Sequence, residues 1–111
     1  ARQKNMKEEL AIRYEVRQAP VERALVDLAG EGIEADLVFF DPPYGYAGLR
    51  NLILLTLDMG LIVEGGELMV ECAARDLQLL PLPGDLVGGE PLKEHRFGGT
   101  VLVRYRSHGS R

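Results

Sequence analysis

The apolar run Leu37-Val38-Phe39-Phe40 stops at Asp41-Pro42-Pro43-Tyr44. The run is too short for a helix and has the length of a buried strand. An aspartate followed by two prolines ends a strand ladder and starts a turn. The turn presents a carboxylate, a stiff backbone and an aromatic ring at one point. Such a group of residues can hold a planar molecule that bears an amino nitrogen. The plainer alternative is a polar turn in which Pro42 and Pro43 only terminate the strand.

The rest of the chain alternates around this turn. Residues 2–11 predict a helix with Met6 and Leu10 on one face, and 13–17 predict a half-exposed strand. Pro20 suits a first helical turn, Val21, Ala24, Leu25 and Leu28 follow at helical spacing, and Gly30 and Gly32 end that helix. Residues 36–40 are the apolar strand. Residues 49–60 read as a helix lined by Leu49, Leu52, Ile53 and Leu57. Gly65-Gly66 marks a tight turn, 67–72 a strand, and the leucine- and proline-rich 77–85 a loop. Two final strands, 86–96 and 100–106, flank Gly98-Gly99, where paired glycines supply the positive φ of a hairpin turn. Residues 107–111 are expected to fray. Alternating helices and strands imply a three-layer α/β fold, with Asp41 at the carboxyl end of a central parallel strand.

At 111 residues the chain is a single domain, 1–111, with a modest core. No apolar run approaches the ~18 residues of a membrane span. The start, Ala1-Arg2-Gln3-Lys4-Asn5, lacks the apolar segment of a signal peptide. Cys72 is the single cysteine, which excludes an intrachain disulfide and suits a buried thiol in a reducing, cytoplasmic setting. A net charge of −4 argues against a general attraction to phosphate backbones but leaves room for a local basic patch.

In this order the residues resemble a family. The run from Ala35 through Asp41-Pro42-Pro43-Tyr44 to Gly45 is similar to motif IV of the class I S-adenosylmethionine-dependent methyltransferases that act on exocyclic amino groups. The greatest resemblance is to the bacterial 16S rRNA guanine-N2 methyltransferases. Gly60 to Glu71 resembles the family's entry into its fifth strand, and Lys93-Glu94-His95-Arg96-Phe97-Gly98-Gly99-Thr100 its closing basic, aromatic, glycine hairpin. The similarity runs from about residue 13 onward. The tetrapeptide carries most of its specificity, because the glycine turn and the hairpin are weak signals alone.

The resemblance implies a Rossmann-like class I methyltransferase fold: a mainly parallel sheet with a C-terminal antiparallel hairpin, in the order 3-2-1-4-5-7-6. It implies methyl transfer from S-adenosyl-L-methionine, without a metal, to guanine N2 in ribosomal RNA or the small-subunit particle. Asp41 and the Pro42 carbonyl would grip the amino hydrogens and orient the nitrogen lone pair, Pro43 would stiffen the loop, and Tyr44 would stack on an extruded base. Asp41, with Gln18 and Ala19 near adenine, would face the cofactor, while Lys93, His95 and Arg96 would contact RNA.

Two departures accompany the resemblance. Ala19 stands where relatives commonly carry an aspartate, and no glycine-rich turn follows a strand before residue 41. The expectation is therefore a C-terminal part of a methyltransferase lacking the first two strands, with a gap of ~10 Å between the third and fourth strands. Alone, the chain is expected to bind S-adenosylmethionine weakly or not at all. A non-catalytic partial domain that forms a homodimer through exposed sheet edges, and an adenine-N6 DNA methyltransferase, are the alternatives.

Other residues carry plainer readings beside functional ones. Glu71 falls near the site end of its strand, and Tyr46 is either a substrate-side residue or a loop aromatic. His95 contacts phosphate or lies solvated on an edge strand, and His108 is expected to be solvated. Tyr14 and Tyr105 are expected to pack.

Overall fold

The computed structural model describes residues 21–109. The expected helix over 2–11, the strand over 13–17, and Gln18 and Ala19 lie outside them. Helix α1 spans Val21–Gly30, and Leu25 and Leu28 turn toward the core. A Schellman pair of hydrogen bonds closes it: the Gly32 N–H donates to the Ala29 carbonyl at 3.1 Å, and the Ile33 N–H to the Leu28 carbonyl at 3.2 Å. Strand β1 follows at Ala35–Phe40.

Helix α2 spans Leu49–Asp58, slightly shorter than its periodicity suggested. Its buried residues Leu49, Leu52, Ile53, Thr56 and Leu57 trace one helical stripe. Thr56 is fully buried, and its hydroxyl donates to the Leu52 carbonyl at 2.7 Å, so burial leaves no orphaned donor.

Strand β2 runs Ile62–Ala73, longer than the expected 67–72. The glycine pair forms an irregularity inside the strand: Ala35 pairs with Ile62, but Leu37 pairs with Glu67. A Cβ on Gly66 would lie 2.8 Å from the Asp36 carbonyl oxygen, so only glycine permits this approach of β1 and β2.

The expected loop over 77–85 contains two 3-10 helices, η1 at Ala74–Leu79 and η2 at Pro83–Asp85. Local i→i+3 bonds, from the Leu80 N–H to Leu77 and the Leu86 N–H to Pro83, account for them. The expected strand 86–96 is split into β3, Gly89–Pro91, and β4, His95–Phe97. Both pair antiparallel with β5, Thr100–Ser107. Pro91 pairs with Tyr105 and His95 with Leu102, so one extra residue bulges between β3 and β4. Pro91 brings no N–H to the ladder there. The hairpin turn falls at Gly98-Gly99, with Gly98 at φ +61°, a value suited to the first central position of a two-residue turn.

The sheet order is β1-β2-β5-β3, with β4 also on β5. This is the order that the resemblance implies for the fourth, fifth, seventh and sixth strands. Three expectations are not met among the described residues. Among the described residues only the β1–β2 pairing is parallel, and the other three are antiparallel. β1 is the outermost strand of this sheet instead of a central one, and Leu37 and Phe39 are 54% and 51% exposed. The described helices pack on one sheet face only. There α2 meets Leu68, Val70, Val101 and Val103, while α1 packs on Val38, Phe40 and Leu52.

Residues 107–109 depart from the frayed tail expected, and 110–111 lie outside the described residues. Ser107 is buried, and its hydroxyl donates to the Ile62 carbonyl at 3.1 Å. The His108 N–H donates to the Gly88 carbonyl at 2.8 Å. No helix among the described residues is long and apolar enough to cross a membrane.

Candidate functional site

Asp41 to Tyr44 leave the carboxyl end of β1 and lead, through a turn at Tyr44-Gly45, to the start of α2. Neither proline has an N–H, so this stretch offers acceptors with few donors: the Asp41 carboxylate and a run of carbonyls. All four residues line an open hollow of about 460 Å³, closed on its other side by Glu71, Cys72 and Thr100. Glu71 and Cys72 come from the end of β2, and Thr100 begins β5. The sheet therefore brings together three segments that are distant in sequence, at the strand ends where open α/β sheets hold ligands.

The ionisable carboxylates of the hollow are Asp41 and Glu71. Burial first, then the Asp76 and Glu94 charges, push the Cys72 thiol up from its ordinary value, so near neutral pH it carries no charge. An acidic lining with a neutral thiol suits a ligand that carries or develops positive charge.

A second hollow of about 370 Å³ adjoins the first and is lined by Tyr44, Ala73, Ala74, Arg75 and Gly99. Tyr44 is 71% exposed and borders both hollows. The Arg75 guanidinium lies 5.1 Å from its ring centroid, within cation–π range. Asp76, buried beside it, accepts a hydrogen bond from the Gly45 N–H at 2.8 Å. The tip of the closing hairpin reaches the same place, since the Ala74 N–H donates to the Gly99 carbonyl at 2.8 Å.

The structure thus joins Asp41 to Tyr44 with Glu71, Cys72 and Thr100. Cys72 packs in the core, as its sequence neighbours suggested, and also forms part of the hollow wall. Arg75 and Asp76 carry no motif and Thr100 only closes the hairpin motif, so none of the three belongs to the sequence reading of the site. Tyr46 is partly buried and packs against both core clusters. Lys93, His95 and Arg96 line neither hollow. Arg96 pairs with Glu94 at 3.0 Å, and the His95 Nε2 lies 3.4 Å from an Arg104 nitrogen. His108 is not merely solvated, because its Nε2 meets a Glu90 carboxylate oxygen at 3.0 Å. That bond, then the charges of His108 and Arg106, lower the Glu90 carboxyl against the opposing effect of burial.

Comparison with known proteins gives a family and a fold. The sequence profile of a family described as conserved hypothetical protein 95 matches residues 2–106. No curated protein matches the chain. A conserved hypothetical protein of Streptococcus pyogenes superposes with a TM-score of 0.67 at 23% identity, over 98% of this chain and 66% of its own. The Escherichia coli protein described as "putative methyltransferase yhhF" gives 0.60 at 22% identity, over 96% of this chain and 57% of its own. M1.HpyAVI, in complex with SAM, gives 0.62 at 14% identity, over 87% of this chain and 56% of its own. The described α/β arrangement is therefore a Rossmann-like fold shared with these proteins. The chain spans two thirds or less of the length of each.

Proposed function

The chain belongs to the conserved hypothetical protein 95 family, and from that membership and the geometry at Asp41 we propose that it forms the amine-binding side of a methyltransferase. The observation that carries this reading is the hollow in which the acceptor-rich Asp41-Pro42-Pro43-Tyr44 loop faces Glu71. The substrate proposed is the exocyclic N2 amine of a guanine in small-subunit ribosomal RNA, in keeping with the resemblance across residues 36–106. The likeness to M1.HpyAVI, solved with SAM, supports the cofactor.

S-adenosyl-L-methionine, when bound, supplies a methyl group on a cationic sulfur. The acidic lining fits that charge, whereas Gln18 and Ala19, proposed to lie near adenine, fall outside the described residues. The chain's own contribution is orientation. The guanine amine is a weak nucleophile because its lone pair is delocalised into the ring. Asp41 and the Pro42 carbonyl accept its two hydrogens, turn the lone pair toward the methyl group, and stabilise positive charge growing on nitrogen. Two prolines keep the carbonyl from moving away, and Tyr44 stacks on the base once it leaves its helix.

The RNA contacts proposed for Lys93, His95 and Arg96 rest on their place in the hairpin whose tip borders the second hollow. Cytoplasmic action on ribosomal particles is part of the same proposal. A homodimer through the outer edge of β1 is a further one, supported by the terminal place of β1 in the described sheet, where its outer backbone edge pairs with no described strand.

The test is methyl incorporation into undermethylated small-subunit particles by the protein that carries this chain. Asp41→Ala should lower transfer about 100-fold or more with the melting temperature unchanged, as expected when an electrostatic contact to developing charge is removed. Unchanged transfer would remove Asp41 from the reaction.

A further inference from the structure

Tyr44 and its supports raise a question that the amine-holding role does not answer. A tyrosine on an exposed loop must be ordered before it can stack on a ligand, and ordering a mobile side chain costs free energy. Two adjacent residues of η1 act on this loop from different sides. Asp76 points inward, is 7% exposed, and holds the Gly45 N–H at 2.8 Å. Arg75 points outward and places its guanidinium 5.1 Å from the Tyr44 centroid. The start of η1 is tied to the hairpin tip through the bond from Ala74 to Gly99. Tyr44 borders both hollows, but Arg75 lines only the one without Asp41.

We infer that Asp76 and Arg75 are positioning residues for the target ring: Asp76 fixes the motif loop at Gly45, and Arg75 holds one face of Tyr44 so that the other faces the Asp41 hollow. The ligand class is a planar heteroaromatic ring bearing an amino group. This inference rests on the amine-transfer reading. Neither residue touches the reacting atoms. Asp76 acts through the backbone that also carries Asp41, so it affects alignment. Arg75 acts through one aromatic ring, so it affects chiefly the capture of the ring.

The experiment has two arms. Amide hydrogen exchange at Gly45 reports the Asp76 bond directly, with no substrate present. Protection should fall about tenfold or more in Asp76→Ala, as for loss of a charge-assisted bond, and persist in Asp76→Asn, whose side-chain carbonyl still accepts. The second arm is steady-state transfer to undermethylated small-subunit particles. Arg75→Ala should raise KM roughly threefold while kcat stays within about twofold, the scale of an exposed cation–π contact. Asp76→Ala should lower kcat about tenfold or more, and Asp76→Asn should recover most of it.

Gly45 exchange that is the same in wild type and Asp76→Ala overturns the role of Asp76. An Arg75→Ala protein with unchanged KM overturns the role of Arg75, and that exposed position gives little reason for misfolding. A wild-type protein that transfers no methyl overturns the amine-transfer reading, while the exchange series still decides whether Asp76 positions the loop.

Discussion

The two faces of the sheet are made from alternate residues of the same strands, yet they are stabilised differently. On the covered face Leu68, Val70 and Val101 have no exposure and meet Leu49, Ile53 and Leu57 of α2. On the other face, Glu67, Met69, Leu102 and Arg104 are partly exposed, and Leu37 and Phe39 are exposed by half. Arg104 reaches diagonally across the strands and grips Glu67 with two hydrogen bonds of 2.9 Å. The covered face gains free energy by removing apolar area from water. The open face leaves its apolar side chains partly in water, and there Arg104 pairs with Glu67. A strand's period of two sorts side chains onto two faces, but the layer that packs on each face decides what they are worth.

The largest test of that contrast is truncation of neighbouring residues. Leu68→Ala should cost about 2–5 kcal/mol, because it leaves a cavity between β2 and α2, whereas Met69→Ala should cost less than about 1 kcal/mol. Denaturant unfolding measures both, and similar costs would break the comparison. An intermediate effect should come from Tyr105, also on the covered face. Burial, followed by the Cys72 and Glu94 charges, pushes its phenol from the ordinary value near 10 to about 12. The folded state therefore favours the neutral phenol. That contribution is complete below pH 10 and is lost as pH rises from 10 toward 12, by roughly 2–3 kcal/mol. Stability measured across this window should flatten in Tyr105→Phe.

The smallest effect belongs to the open face. The hydrogen bond from Arg104, then the Arg104 and Arg106 charges, hold the Glu67 carboxyl below its ordinary value against the opposing effect of burial. A lowered carboxylate contributes stability above its unfolded pKa and loses it as pH falls through the folded one. Glu67→Gln should therefore blunt part of the acid destabilisation and change little at neutral pH, since a quarter-exposed pair is screened. A large loss at neutral pH would show that the open face is more than a solvated surface.

Much of this architecture was legible residue by residue. The stripe from Leu49 to Leu57 specified α2, the apolar run before Asp41 specified β1, and Gly98-Gly99 specified the hairpin turn, because each depends on neighbours within a few positions. The 3-10 turns over residues 74–85 were not legible, since leucine and proline there are equally consistent with an open loop. The break between β3 and β4 was missed for another reason: Pro91 signals it only once the pairing register with β5 is known.

For the site the division is similar. Asp41 to Tyr44 announced themselves because their composition is rare and their chemistry is local. Glu71, Cys72, Thr100, Arg75 and Asp76 belong to the site through β2–β5 pairing and the path of η1, which bring residues 71 and 100 to the same sheet end. The local order of helices, strands and turns, and the acceptor-rich loop, were set by the sequence alone, because short-range sterics and side-chain periodicity act within one segment. The edge position of β1 in the described sheet, the covered and open faces, and the grip of Asp76 on Gly45 were decided by tertiary structure, because each is a contact between residues far apart along the chain.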